Sequence, residues 1–270
     1  MPKVYEELCF TDDFMFCKVL TNNLDLTRKL LEIILGIEID KVELSEAQKV
    51  IDHRADAKGI RLDVYVKDAS GTVFDLEMQT TGLKNLGKRT RYYQGMIDLD
   101  LINKGELYNM LKRTYIVFVC TGDPFKQGLP LYTFENRCRE DLSVKLGDES
   151  TKVFVNPDGD RRTATKQLVA LLDYIKNGKA KDPFTMELDG AVKKARTHEE
   201  WRVEYMTLLM RDAEKLAEGE DRGFFLYQKL QRYVTSHPDE PAEEIAKIFQ
   251  CSIARVDAVQ EDLATRGKVS

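Results

Sequence analysis

Residues 60–79 read IRLDVYVKDASGTVFDLEMQ, two alternating runs joined by a short turn. Ile60, Leu62, Val64 and Val66 alternate with Arg61, Asp63, Tyr65 and Lys67, while Phe74, Leu76 and Met78 alternate with Val73, Asp75, Glu77 and Gln79. A period of two is that of a half-buried strand. Ala69-Ser70-Gly71 suits a three-residue hairpin loop with glycine in the left-handed position, which sets Lys67 opposite Val73 and Asp63 opposite Glu77. A slip of one residue would put apolar side chains against charged ones, so pattern and turn agree on the register. Directly opposed Cβ atoms lie about 5 Å apart, and like charges there destabilise a sheet.

A divalent cation would neutralise the pair, since Mg2+ is held by one or two carboxylates together with waters and phosphate oxygens. Gln79 lies one pleat beyond Glu77 on the same face, where its amide could orient a water or a phosphate oxygen. On the hairpin alone a solvated strand face stays equally open, with Arg61 and Lys67 compensating the acids diagonally.

Asp63 followed by Glu77-Met78-Gln79 is similar to the D-x(n)-(D/E)-x-K core of the PD-(D/E)XK nucleases, with glutamine at the lysine position. Further matches are Thr11-Asp12-Asp13-Phe14-Met15-Phe16, the run Arg89-Thr90-Arg91-Tyr92-Tyr93-Gln94, and the run from Glu199 to Met206. Together they resemble the PD-(D/E)XK family transposases, or recombination-promoting nucleases, over most of the chain. An ExQ ending is usual in that family, so Gln79 departs from the wider superfamily alone. The resemblance implies a restriction-endonuclease-like α/β fold and Mg2+- or Mn2+-dependent cleavage of DNA. Asp63, Glu77 and the Met78 carbonyl would hold the metal, and Gln79 would position the attacking water. The superfamily often brings an acid from its first helix to the metal; Asp13 is the candidate, with Asp12 as its competitor.

The chain has 270 residues, 43% of them hydrophobic, enough for a sizeable core. Its net charge of -5 does not advertise a nucleic-acid binder, so DNA affinity must come from a local basic patch. Lys84, Lys88, Arg89 and Arg91 form a dense basic cluster without an interleaved acid, directly after the carboxylate motif, and are the candidate phosphate contacts. A solvated helix face is the equally weighted alternative. Cys9, Cys17, Cys120, Cys138 and Cys251 lack any C-x-x-C spacing and read as reduced core residues of a cytoplasmic protein. His53, His198 and His237 are scattered, which leaves little for histidine chemistry. No signal peptide or membrane span is expected.

Two helices are expected before the hairpin, one starting at Thr11 or Asp12 and one over Leu24–Leu35 stopped by Gly36. A long helix follows over Leu83–Asn103, then a doubly covered strand, Thr114–Cys120, and further strands at Leu131–Phe134 and Lys152–Val155. The turn Asn156–Gly159 ends the last strand. Beyond it helices dominate, with segments over Thr163–Asn177 and Thr185–Thr197. The highly charged stretch 211–223 suits a solvated helix or connector. This divides the chain into a nuclease-like domain with its following helices (1–210), the connector (211–223) and a small helical module (224–270). Pro241–Gly267 reads as two short helices with a faint helix-turn-helix pattern. The second holds Arg255 against Asp257, Glu261 and Asp262, however, so a packing or interaction module is favoured over DNA recognition.

Tyr93, Ile97 and Leu101 share a helix stripe, which assigns Tyr93 to the core and leaves Tyr92 to stack or pack. Asp75 ranks below Asp63 and Glu77 and reads as part of an electrostatic surface. Trp201 looks like an anchor for the C-terminal helices. The favoured function is a metal-dependent DNA endonuclease acting on DNA and not at a membrane, with a homodimer open as the means of cutting both strands. The rivals are a catalytically inactive module working through protein contacts, and a metal-dependent phosphohydrolase of small nucleotides.

Overall fold

The computed structural model describes residues 3–52, 58–80 and 84–266. His53, Leu83 and Gly267, which entered the sequence reading, lie outside these. By its contacts the chain divides into two units, Met1–Arg202 and Val203–Ser270. In the first, strands β1 (Val42–Ile51), β2 (Ile60–Asp68), β3 (Val73–Gln79), β4 (Thr114–Cys120), β5 (Leu131–Phe134) and β6 (Ser150–Val155) form one sheet in the order β1-β2-β3-β4-β6-β5. β3 and β4 run parallel, as do β4 and β6, while the other pairs are antiparallel. This mixed sheet with flanking helices is consistent with the restriction-endonuclease-like fold.

The hairpin has the register its turn requires. Lys67 pairs with Val73, Val66 with Phe74, Tyr65 with Asp75 and Val64 with Leu76. Gly71 sits at φ +84°, a conformation that disfavours any side chain, and its N–H donates to the Asp68 carbonyl at 2.9 Å. Asp68 closes the loop, accepting at Oδ1 from the Ser70 N–H at 2.9 Å, the Ser70 hydroxyl at 2.7 Å and the Thr72 N–H at 2.9 Å.

Three expectations need correction. A strand, β1, precedes the hairpin in addition to the two helices; it is a mostly polar edge strand and so shows no clean alternation. β3 is buried along its whole length despite its alternating pattern, because Leu86, Tyr93, Met96 and Ile97 of helix α3 (Leu86–Leu101) join the core on its polar side. The cysteines are not all core residues: Cys17 and Cys120 are buried, Cys9 is exposed, and Cys138 and Cys251 are half-buried, all as free thiols.

Helix α1 (Asp13–Asn22) packs on β1 and β2, and on helices α2 (Leu24–Leu35) and α5 (Pro183–Arg196); α4 (Lys166–Asn177) packs on α2 and α5. Local chemistry sets the ends of these helices. Gly36 and Gly178 close α2 and α4 with φ +65°, and Thr165 caps α4 through the Leu168 N–H. Asp182 and Thr185 form a capping box around Pro183 at the start of α5. Trp201 stacks on His198 with ring centroids 4.3 Å apart.

The charged stretch 211–223 is helical, lying inside α6 (Glu199–Ser236). In the second unit, Leu230 and Val234 of α6 share a small core with Ile245 and Ala246 of α7 (Ala242–Phe249) and Val256 and Val259 of α8 (Ile253–Arg266). No helix among the described residues is long and apolar enough to cross a membrane.

Candidate active site

At the open end of the hairpin the ladder gives way to side-chain bonds. The β2–β3 pairing stops at Val64 and Leu76. Beyond it the Asp63 N–H donates to Glu77 Oε1 and the Met78 N–H donates to Asp63 Oδ2, each at 3.0 Å. On the other side of β2, the position opposite Asp63 drops out of the β1 register, where Gln48 takes φ +52°. Irregular pairing of this kind re-aims a side chain beside a site. The two acids are thus brought together as the turn implied, each held by the other's strand.

Electrostatics at this end are unfavourable to several negative charges at once. Burial first, and then the Asp63 charge, push Glu77 up to about 8; the Asp63 N–H and Arg89 oppose this without cancelling it. Burial, and then the charge of Asp13, raise Asp63, against the Met78 N–H, Arg89 and Arg61. Asp75 is fully buried and pairs with Tyr65 across the strands, so it is not part of a surface. Neither Asp75 carboxyl oxygen meets an N–H or hydroxyl donor among the described residues, the Tyr65 hydroxyl is likewise unpaired there, and the one side chain that reaches Asp75 as a hydrogen-bond partner is the Glu77 carboxyl. Burial, followed by the charges of Glu77 and Asp63, raises Asp75 well above the usual carboxyl range. The three carboxyls therefore titrate as a group rather than singly.

A cleft of about 700 Å³ opens over this end. Asp13, Asp63, Met78, Gln79, Lys84, Lys88 and Arg89 all line it. Glu77 lies beneath with no exposed surface, and Arg91 stands exposed outside the lining. Asp13 faces the cleft while Asp12 does not: the Asp12 carboxylate takes the Cys9 N–H at 2.7 Å and the Lys3 ammonium at 2.8 Å. Partial desolvation and Asp12 raise the Asp13 pKa.

The four basic candidates divide. Lys84 and Lys88 are exposed, whereas Arg89 turns inward. Its Nη2 meets Glu77 Oε2 at 2.5 Å, its Nη1 donates to Gln79 Oε1 at 2.7 Å, and its Nε donates to the Tyr93 hydroxyl at 2.8 Å. Tyr93 is buried as its helix stripe implied, and Tyr92 is 39% exposed with its hydroxyl donating to the Lys58 carbonyl.

Lys58 and Arg61 also line the cleft and were missed as cleft residues. Arg61 could have been found, because it shares the Asp63 face of β2; Lys58 precedes the strand and gives no pattern to read. A larger hollow of about 870 Å³ between α2 and α5 contains none of the residues singled out in the sequence. Among the described residues no three His, Cys, Asp or Glu side chains are grouped as a ready-made metal cage. The arrangement offers two carboxylates, a neutral amide and a cationic rim around one hollow, a chemistry suited to an anionic, phosphate-bearing ligand.

Comparison with known families bears on the general readings. Residues 10–137 match the model of the PD-(D/E)XK nuclease family transposases. The matched segment runs from the residue before Thr11 past β5, and so contains all nine candidate site residues. This match supports a nuclease or transposase kind of function. No curated protein and no solved structure gives a significant match to the chain.

Proposed function

We propose that the chain is a divalent-metal-dependent DNA endonuclease of the recombination-promoting type, hydrolysing phosphodiester bonds in the cleft over Asp63 and Glu77. The observation that carries this reading is the meeting of these two acids, with raised pKa values, at the open end of the hairpin beneath a lysine-lined rim. Raised pKa values, from burial first and then from neighbouring acids, mark an unmet demand for positive charge, and carboxylate oxygens are the hard donors that Mg2+ or Mn2+ prefers. The residues present fit such an ion, with Asp63, Glu77 and the Met78 carbonyl to hold it. An incomplete cage agrees with an ion that keeps several waters. When bound, the ion supplies a water of lowered pKa and a positive charge against the phosphate oxygens.

The chain's own residues do the rest. Gln79 orients the attacking water through its amide and adds no charge. Asp13 brings a third carboxylate to the rim, and Lys84 and Lys88 hold phosphates of the DNA, with Arg91 extending the contact along the outer face of α3. Those contacts give affinity without sequence choice. The division into residues 1–210, the charged helical connector 211–223 and the module 224–270 assigns the C-terminal helices no part in cleavage.

Plasmid cleavage in Mg2+, Mn2+ or chelator, with Asp63→Ala as control, tests the reading. Expected are nicked or linear products with metal, none with chelator or with the variant, and retained activity after truncation at Gly223. Linear product without a nicked intermediate would point to a homodimer cutting both strands. A folded wild type that cuts DNA with neither metal would instead favour the inactive, protein-binding module.

A further inference from the structure

We infer that Arg89 is a cationic place-holder in the carboxylate site, displaced from Glu77 when a divalent cation loads and then free to grip a DNA phosphate. The inference rests on the metal-dependent reading above and adds to it an order of events. Both oxygens of Glu77 are already engaged: Oε1 takes the Asp63 N–H at 3.0 Å and Oε2 takes Arg89 Nη2 at 2.5 Å. A cation that approaches Glu77 therefore meets a donor already on each oxygen, and at Oε2 that donor carries a full positive charge that opposes it. The Asp63 N–H belongs to the strand, whereas Arg89 reaches Glu77 on a flexible side chain that is 37% exposed against 0% for Glu77. Arg89 is the donor that can yield.

The rest of the side chain is built to swing without being lost. Its guanidinium lies 4.9 Å from the Tyr93 ring centroid and 5.1 Å from that of Phe118. These faces hold the cation in the cleft wall once its carboxylate is taken. Lys58, Arg61, Lys84 and Lys88 line the same cleft, so the released fork enters a surface already suited to phosphate. A planar guanidinium matches phosphate oxygens with paired donors, which an ammonium cannot do. Metal and substrate would then bind cooperatively, because the ion frees the group that receives the DNA.

Calorimetric titration of Mn2+ into the full chain tests the competition directly, using wild type, Arg89→Met and Arg89→Lys. Removing a charge-assisted competitor should tighten Mn2+ binding about ten-fold in Arg89→Met. Arg89→Lys should fall between, since one ammonium can hold Glu77 without bridging to Gln79. A second measurement follows DNA binding with and without Ca2+: the wild type should gain affinity with the ion, and Arg89→Met should gain less. If Arg89→Met fails to fold, the lysine variant still decides the matter on both measurements. Unchanged or weaker Mn2+ binding in the folded variants, beside clear binding by wild type, overturns the place-holder and leaves the metal site standing. Absence of Mn2+ binding in all three proteins overturns both.

Discussion

At the closed end of the β2–β3 hairpin Asp68 is 7% exposed, and three donors converge on one of its oxygens. At the open end Asp63, Glu77 and Asp75 are crowded together, all with raised pKa values, and Asp75 meets no N–H or hydroxyl donor among the described residues. One short hairpin thus buries acids in two ways. The closed end gives one carboxylate oxygen three donors, and the result is a fixed turn and register. The open end sets three buried or part-buried acids against one guanidinium, although an apolar residue at position 75 or 77 would continue the strand at lower cost. Local conflict of this kind, in a segment otherwise consistent with its fold, is where function is expected.

Substitutions that separate the two ends sharpen the contrast. Glu77→Ala should lower single-turnover cleavage by about 1,000-fold or more, equivalent to about 4 kcal/mol of lost barrier reduction. Asp68→Ala should leave cleavage of the folded protein near wild type; a comparable loss there would erase the distinction. Asp68→Ala should instead lower stability by about 2 kcal/mol in denaturant titrations, because it orphans the donors of the turn.

Asp75→Asn should do the reverse and stabilise the metal-free protein by about 1 kcal/mol, since it replaces a buried carboxyl crowded by two other acids with an amide that can donate to Glu77. Destabilisation by Asp75→Asn would show that both ends bury acids for structural reasons. The smallest effect concerns pH. Glu77 is raised from 4.5 to about 8, so its proton stays bound in the folded protein over a range in which the unfolded chain has lost it. Stability from this group is present below about pH 4.5 and is lost as pH rises towards 8. The metal-free melting temperature should accordingly fall across that interval, and Glu77→Gln should flatten the slope.

The closed end was legible because its signals are local: alternation on both runs and glycine at the bulge name the same register. β4 was legible for a similar reason, as a continuous apolar run in TYIVFVC. β1 was not, since Glu43, Ser45, Glu46, Gln48 and Lys49 lie on an edge strand that owes its place to pairing with β2. The depth of the open end was also hidden. Alternating acids look like a solvated face until α3 is known to cover them, and the inward turn of Arg89 depends on how that helix is rotated. Its start at Asn85, with φ +63°, carries no sequence signal strong enough to show this.

The central claim is that the open end of the hairpin is shaped for a cation, and thermal melting with and without Mn2+ tests it most directly. The account predicts a rise in melting temperature for wild type at neutral pH, an equal rise for Asp68→Ala from its lower starting point, and no rise for Asp63→Asn. An equal rise in Asp63→Asn, or none in wild type, would contradict it.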